Sequence, residues 1–295
     1  MAATTEVPPH EPESALSTLG TPGLPASSDG QLLAMLASAT ITSGSARPAR
    51  PANVSLRLDS FRVSVVIPAL NEAQNLPLVL HRIPPWVHEV LLIDGHSTDA
   101  TVTVARQLYP SIQIISQQGR GKGAALRTGF AAATGDIIIM LDADGSTDPA
   151  EMPVFVGALL AGADFAKGSR FVQGGGTADM PLYRQLGNWA FVLAVRLLMG
   201  GSYTDLCYGY NAFWARVLPA LNLDADGFEI ETSMNVRALL CGLRIMEVPS
   251  FEAKRVYGTG RLRTIPDGWR IVKTIWRETR LRGRAKMLVR GSAGV

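Results

Sequence analysis

Two carboxylates stand one residue apart at the end of an apolar run near the middle of the chain. Asp142 and Asp144 follow residues 137–141, which are all apolar and lie between Gly135 and Gly145. The run is short and rich in β-branched types, so it predicts a strand that is buried on both faces. Side chains at i and i+2 of an extended segment project to the same side, so both acids can face one hard cation such as Mg²⁺ or Mn²⁺. A solvated turn before the next helix is the alternative.

Three more acids lie in apolar surroundings further along the chain, namely Asp205, Glu229 and Glu231. A carboxylate that folding removes from water has a perturbed pKa, and such groups are candidates for proton transfer. A general base requires only one of the three. The other two can cap helices or pair with arginine, so the sequence leaves the choice among them open.

Two basic features could hold phosphate. Arg170 lies near the end of a predicted strand over residues 165–171, and its guanidinium could bind a diphosphate through charge-assisted hydrogen bonds. An ordinary ion pair with a neighbouring acid is the alternative role for Arg170. Residues 119–125, GRGKGAA, precede a predicted helix, and their glycines would let backbone N–H groups approach an anion. This segment lacks the Walker spacing, and a flexible surface loop explains it equally well.

Alternating strands and helices must position these side chains. Their order predicts a parallel, doubly wound α/β sheet with right-handed crossovers. Ligands of such sheets bind at the carboxyl ends of the strands, which is where Asp142, Asp144 and Arg170 are expected. Before residue 137 the predicted strands cover residues 62–68, 89–94 and 112–115, and the predicted helices cover residues 72–82, 100–108 and a segment that runs to residue 133.

Composition divides the chain into three parts. Residues 1–58 are rich in Pro, Ser, Ala, Thr and Gly and poor in aromatics, which predicts a disordered N-terminal extension. Residues 59–263 contain the predicted strands and the acids, and they are long enough for one α/β domain with a sizeable core. Residues 264–295 form a basic, amphipathic C-terminal segment with a predicted helix.

Positive charge is concentrated in this C-terminal region. The net charge of the chain is only +3, yet residues 254–290 contain twelve Lys or Arg against two acids, Asp267 and Glu278. Trp269 and Trp276 recur at helical spacing among the basic residues. The pattern indicates either an interfacial helix on a lipid surface or a helix that packs back on the domain.

The sequence contains no segment that predicts a membrane span. No apolar run reaches the roughly 18 residues that a bilayer requires, and the N-terminus has no early basic cluster of the secretory type. We therefore expect a cytoplasmic protein with peripheral contact at the inner face of the cell membrane through residues 264–290.

Six segments, in order, resemble those of family 2 glycosyltransferases with the GT-A fold. Within that family the pattern is most similar to polyprenyl-phosphate (dolichyl-phosphate) mannosyl- and glucosyltransferases. The resemblance extends over residues 62–263 and implies a Rossmann-like, mostly parallel central sheet flanked by helices. The segments are VVIPALNE at 65–72, Asp94 with STD at 97–99, GKG at 121–123, DAD at 142–144, GSRF at 168–171 and EVP at 247–249.

The resemblance implies a nucleotide-sugar site. It assigns Asp142 and Asp144 to a divalent cation, Mg²⁺ or Mn²⁺, that bridges the two phosphates of the donor. It places Asp94 beside the base, and Arg170 and Arg255 near the diphosphate or the phosphate of the acceptor. The nucleotide-sugar-binding residues that it implies are Pro68, Ala69, Asn71, Glu72, Asp94, Lys122, Asp142, Arg170 and Arg255.

The resemblance also implies a reaction, the inverting transfer of a hexose from a UDP- or GDP-linked sugar to a polyprenyl phosphate in cell-envelope glycan biosynthesis. Positive charge around the leaving diphosphate would stabilise the transition state. Asp144 would then have a catalytic role through the cation that it holds, and Arg170 would have one through its own charge. A phosphate acceptor is already ionised and needs no general base.

Two other functions remain open at this stage. The acceptor could be a hydroxyl of a saccharide or small metabolite, in which case Glu229, Glu231 or Asp205 would take its proton. The non-enzymatic alternative is a nucleotide-sugar-binding module that docks on a membrane. No nucleic-acid partner is expected.

Overall fold

The computed structural model describes residues 40–41 and 61–292, with side chains over residues 61–281. The strands are β1 (Thr40–Ile41), β2 (Val63–Ala69), β3 (Glu89–Asp94), β4 (Gln113–Ser116), β5 (Ile137–Met140), β6 (Phe165–Ser169), β7 (Gly176–Thr177), β8 (Asn211–Trp214), β9 (Ile245–Pro249) and β10 (Phe251–Glu252). The helices are α1 (Leu76–Leu80), α2 (Thr101–Leu108), α3 (Lys122–Ala132), α4 (Met152–Leu160), α5 (Leu182–Met199), α6 (Leu218–Leu221), α7 (Glu229–Leu240) and α8 (Thr264–Ser292).

A mostly parallel sheet forms the centre of the domain, as predicted. The order of its strands is β1-β9-β6-β8-β5-β2-β3-β4. β2 pairs in parallel with both β3 and β5, so the chain leaves these three strands at the same edge of the sheet. β8 runs antiparallel between β5 and β6, and β1 pairs antiparallel with β9. The antiparallel strand β8 is a feature that the sequence did not predict.

Helices cover both faces of the sheet because the buried strands are apolar on both sides. Along β2, Val65 and Ile67 pack in one core with α1, α2 and α4. Val66, between them, packs in a second core with α3, α6 and α7. This two-sided packing confirms the α/β class that the continuous apolar runs predicted.

Helices α5 and α8 pack together beside α7. Val192 and Val195 of α5 and Ile271 and Ile275 of α8 are buried in this third cluster. Helix α8 therefore packs back on the domain with one face, while its tryptophans remain exposed on the other. None of the helices in the described residues is long and apolar enough to cross a membrane.

The predicted N-terminal extension lies outside the described residues, apart from Thr40 and Ile41. These two residues pair with Met246 and Glu247 of β9. At the other end, α8 begins at Thr264.

Candidate active site

The acid pair lies at the carboxyl edge of the sheet, directly after β5. Asp144 Oδ1 accepts hydrogen bonds from the backbone N–H of Ser146 at 3.0 Å and from its Oγ at 2.7 Å. Gly145 allows this tight turn because its φ is +76°, a conformation that side chains disfavour. The side chains of Asp142 and Asp144 are 25% and 24% exposed, so both carboxylates remain accessible to a ligand at this edge.

One ammonium group joins Asp142 to Glu231. Lys122 Nζ lies 2.6 Å from Asp142 Oδ1 and 2.6 Å from Glu231 Oε1. Burial alone would lower the pKa of Lys122, but the two carboxylates raise it above its ordinary value, so this lysine is charged. Burial raises the pKa of Glu231, and Lys122 opposes that effect. Glu231, a candidate general base, is thus engaged in an ion pair.

Gly209 lies directly against this cluster. A Cβ at this position would lie 2.7 Å from Asp142 Oδ2, 2.8 Å from Lys122 Nζ and 2.9 Å from Glu231 Oε1. Such distances are shorter than real Cβ contacts, so any side chain at position 209 would require these charged groups to shift. Sequence reasoning missed Gly209, although a glycine between two buried tyrosines was visible at 208–210.

Arg255 joins the second acid of the pair to Glu72. Its Nη1 lies 3.2 Å from Asp144 Oδ2, and its Nη2 donates to both carboxylate oxygens of Glu72 at 2.5 Å. Glu72 also accepts a hydrogen bond from Asn75 Nδ2 at 2.7 Å. The structure therefore brings together Glu72, Asp144 and Arg255, which are far apart in the sequence.

The segment that carries Arg255 is tied down at several points along its length. Asn75 makes two hydrogen bonds with the backbone of Tyr257, and Arg261 Nη2 donates to the carbonyl of Leu70 at 2.6 Å. The N–H of Ala253 donates to the carbonyl of Ser146, close to the acid pair. Residues 253–261 consequently lie over the ends of β2 and β5.

The residues expected to bind the nucleoside form one group at the ends of β2 and β3. The carbonyl of Ala69 accepts from the N–H of Gly95, and Asp94 accepts from the N–H of Ser97. Asn71 has a φ of +52°, and its side-chain oxygen accepts from the N–H of Thr98 at 2.7 Å. Pro68 precedes Ala69 at the end of β2. These contacts place Pro68, Ala69, Asn71 and Asp94 side by side.

Arg170 is buried in a separate ion cluster. Its Nε and Nη2 donate to Asp205 at 2.7 and 3.0 Å, and its Nη1 donates to Glu252 at 3.0 Å. Its side chain is 3% exposed, and that of Asp205 is fully buried. Burial alone would raise the pKa of Asp205, but Arg170 and Lys167 lower it. Within the described residues, Arg170 thus makes the ion pair that was the alternative to a diphosphate contact.

The glycine-rich segment contacts protein backbone at the start of α3. The N–H groups of Gly123 and Ala124 donate to the carbonyl of Asp226 at 2.8 and 3.2 Å. A Cβ on Gly121 or Gly123 would come within 2.3 Å of a backbone oxygen in residues 225–226. These glycines therefore allow two loops to pack closely, and they bring Lys122 to the acid pair.

Glu229 and Lys167 complete the charged groups of this region. Glu229 Oε1 accepts from the N–H of Gly227 at 3.1 Å, whereas its buried Oε2 has no partner among the described residues.

Lys167, which sequence reasoning missed, is fully buried in β6, and burial lowers its pKa. Its Nζ donates to the carbonyls of Gly168 and Tyr208, so it supports the segment that carries Gly209.

The acid pair suits a hard divalent cation that arrives with further oxygen ligands. Within the part of the chain that the structure describes, no three acidic, histidine or cysteine side chains cluster as a complete metal site. Mg²⁺ and similar ions bind through one or two carboxylates together with phosphate oxygens of the substrate. Asp142 and Asp144 are partly exposed and supply two carboxylates, so these residues fit such an ion.

The chain is similar in sequence to known glycosyltransferases. Residues 64–218, just over half of the chain, match the model of the family "Glycosyl transferase family 2". The undecaprenyl-phosphate mannosyltransferase of Micrococcus luteus is 34% identical over 214 residues, which cover 68% of this chain and 88% of that protein. The polyprenol monophosphomannose synthase of Mycolicibacterium smegmatis is 32% identical over 215 residues, which cover 68% of this chain and 81% of that protein.

A solved structure of the same fold comes from Mycobacterium tuberculosis. Glucosyl-3-phosphoglycerate synthase, in complex with Mn²⁺, UDP and glucosyl-3-phosphoglycerate, superposes with a TM-score of 0.62 at 24% identity. The match covers 79% of this chain and 86% of that chain, which shows a common fold. Taken with the acid pair at the carboxyl edge of the sheet, these matches establish that the chain is an enzyme of glycosyltransferase family 2 with the GT-A fold.

Proposed function

We propose that this enzyme transfers a hexose from a nucleotide-diphosphate sugar to a polyprenyl phosphate, with inversion at the anomeric carbon. The observation that carries the proposal is the edge of the sheet where Asp142 and Asp144 lie between Lys122 and Arg255. This edge carries two acids that can hold a cation, and it also carries two basic side chains. Such a combination suits a diphosphate leaving group. The two mannosyltransferase relatives, whose names specify lipid-phosphate acceptors, support the choice of acceptor.

On the donor side, the group formed by Ala69, Asn71 and Asp94 would bind the nucleoside. Asp142 and Asp144 would hold Mg²⁺ or Mn²⁺, which neutralises charge on the departing diphosphate when bound. Arg255 lies on a loop over this edge and presents the guanidinium geometry that binds phosphate oxygens well. Electrostatic stabilisation of this kind acts where charge develops in the transition state.

On the acceptor side, two of the three candidate bases already hold cations. Glu231 pairs with Lys122, and Asp205 pairs with Arg170. A carboxylate in a buried ion pair is a poor proton acceptor because protonation would leave its partner uncompensated. This arrangement favours an acceptor that is already ionised, as a lipid phosphate is.

The second candidate function is transfer to a hydroxyl of a saccharide or small metabolite. It is favoured by Glu229, whose buried Oε2 has no hydrogen-bond partner among residues 61–281. Such an oxygen could accept the proton of a hydroxyl. In that case Glu229→Gln would lower kcat by about 10²–10⁴-fold, the usual contribution of a general base. For a phosphate acceptor, the same variant retains most of its turnover.

An apolar and basic face supports contact with a membrane. Leu182, Leu186, Trp189 and Leu197 of α5 are between 63% and 77% exposed, and α5 contains no acid. The acids of α8, Asp267 and Glu278, are buried against the domain. Its exposed charged side chains within residues 264–281 are all positive, namely Arg270, Lys273, Arg277 and Arg280. We propose that α5 and residues 264–290 rest on an anionic bilayer, where exposed tryptophans and basic residues are favourable.

An apolar groove lies beside this face. It has a volume of about 410 Å³, and its apolar lining includes Phe171, Leu186, Trp189 and Val192. Phe171 directly follows Arg170 at the end of β6, so the groove adjoins the carboxyl edge of the sheet. A branched hydrocarbon chain that extends from a phosphate at this edge toward the bilayer could lie in it.

The proposal is tested with purified enzyme, a panel of radiolabelled UDP- and GDP-sugars and a polyprenyl phosphate in detergent. We expect a labelled product that partitions into organic solvent and requires both Mn²⁺ or Mg²⁺ and the lipid. The variant Asp144→Asn serves as the inactive control. A product that remains entirely in water would contradict the proposed acceptor and would favour the hydroxyl alternative.

A further inference from the structure

Each acid of the pair holds one side-chain cation, but the two cations are held in different ways. Lys122 contacts Asp142 and Glu231 through its one ammonium nitrogen, at 2.6 Å each. Arg255 contacts Asp144 through Nη1 alone, at 3.2 Å, while its Nη2 is bound to Glu72. The asymmetry suggests one permanent counter-ion and one that can be exchanged.

Lys122 is the permanent one. It stands at the start of α3, and Glu231 stands in the first turn of α7, so two packed helices fix the pair. The backbone of Gly209 lies directly beside the ammonium, since a Cβ built there would lie 2.8 Å from Nζ. Moving Lys122 away would also leave Glu231 as an unpaired buried charge, which is costly.

Arg255 is the exchangeable one. It lies on the connection between β10 and α8, outside any helix or strand. Its contact with Asp144 can break while its stronger contact with Glu72 persists, because different nitrogens make the two contacts. Asp144 would then be free for another cation, and Nη1 would be free for another anion.

We propose that Arg255 competes with the divalent cation for Asp144 and transfers its Nη1 to the donor diphosphate when the cation binds. This inference rests on the proposed function, since it requires a diphosphate ligand. A cation at Asp144 repels the guanidinium, and a diphosphate supplies the oxygens that replace the lost carboxylate contact. Cation and nucleoside diphosphate therefore bind cooperatively, and the coupling is reciprocal.

The test is isothermal titration calorimetry on the full chain with Mn²⁺ alone and with GDP or UDP in the presence of Mn²⁺. Removing the guanidinium should have opposite effects on the two ligands. We expect Arg255→Met to bind Mn²⁺ alone about tenfold more tightly and to bind the Mn²⁺–nucleotide complex about tenfold more weakly, since one charged hydrogen bond is worth about a factor of ten or more. Arg255→Gln should shift both affinities in the same two directions.

Arg261→Met is the matched control. Arg261 lies on the same loop and also carries a guanidinium, but it donates to the carbonyl of Leu70 and contacts neither acid of the pair. We expect its affinity for Mn²⁺ alone to equal that of the unmodified protein. Thermal melting of each variant shows whether the fold is retained.

The result that overturns the inference is distinct from the one that overturns the proposed function. If both Arg255 variants bind Mn²⁺ alone no more tightly than the unmodified protein, Arg255 does not compete for Asp144. If both affinities fall together, the guanidinium merely supports the site. If neither GDP nor UDP binds the unmodified protein with Mn²⁺, the proposed function itself fails.

Discussion

Asp142 and Glu231 bind the same ammonium group, that of Lys122, at 2.6 Å each. The relationship links the acid pair after β5 to α7 on one face of the sheet. Because Glu231 is engaged in this ion pair, it is not a free carboxylate, and it holds Lys122 in position.

Gly209→Ala should break the cluster. Its Cβ would meet three charged atoms within 2.9 Å, so we expect a loss of about 1–3 kcal/mol in the free energy of unfolding, typical of overpacking, and weaker nucleotide binding. Urea denaturation and calorimetry measure the two effects.

Gly187→Ala is the control for that substitution. Gly187 lies within α5, and a Cβ there meets nothing within 4 Å. Alanine should therefore stabilise the helix by about 0.5–1 kcal/mol. Equal effects of the two substitutions would show that the space beside Gly209 is not restricted.

Glu231→Gln and Lys122→Met should not be additive. Each variant removes the ion pair between the two residues, so the double variant should lose little more nucleotide affinity than the worse single variant. A double-mutant cycle on the dissociation constant of the Mn²⁺–nucleotide complex measures the coupling. Additive losses would mean that the two residues act separately.

The exposed face of α5 should be required for binding of the enzyme to lipid surfaces. Leu193→Glu combined with Leu197→Glu places negative charge on two exposed leucines of α5 that do not line the apolar groove and are 38% and 77% accessible. We expect the variant to lose co-sedimentation with phosphatidylglycerol vesicles and to retain activity on a short, water-soluble polyprenyl phosphate.

Thr103→Glu combined with Gln107→Glu, at two exposed positions of α2, adds the same charge of −2 elsewhere and is the control for the vesicle measurement. It should sediment with the vesicles as the unmodified protein does. Unchanged sedimentation of the double leucine variant would exclude α5 as the contact surface.

Glu151→Gln should change how stability depends on pH. Burial raises the pKa of Glu151 above 4.5, and a hydrogen bond from Ser250 opposes this. A carboxyl whose pKa is higher in the folded state stabilises the fold below its unfolded pKa and loses that contribution as pH rises through the folded pKa. The variant should therefore lose less stability than the unmodified protein as the pH rises above 4.5, as followed by urea denaturation. A steeper loss in the variant would contradict the assignment.

The sequence predicted much of the fold because the buried parallel strands are continuous apolar runs. Strands β2, β3 and β5 and the acids that follow β3 and β5 were all visible in this way. Strand β8 was not, because Asn211–Trp214 is short and begins with a polar residue. It becomes a strand only because β5 and β6 both pair with it.

The partners of the charged residues were less predictable. Lys122 and Glu231 are far apart in the sequence, and nothing local indicates their contact. The sequence allows Arg170 either a diphosphate contact or an ion pair, and it does not indicate that Asp205 lies beside this arginine. The residue types at the site were thus readable from the sequence, whereas their pairing depends on how the chain folds.

The central claim is that the acid pair and Arg255 hold the diphosphate of the donor. The most direct measurement is a crystal structure with GDP or UDP and Mn²⁺, whichever nucleotide binds. We predict Mn²⁺ bound directly to carboxylate oxygens of Asp142 and Asp144, with the diphosphate against it and Arg255 Nη1 moved from Asp144 to a phosphate oxygen. A nucleotide bound away from the ends of β2, β3 and β5, or a metal that does not contact the acid pair, would contradict the account.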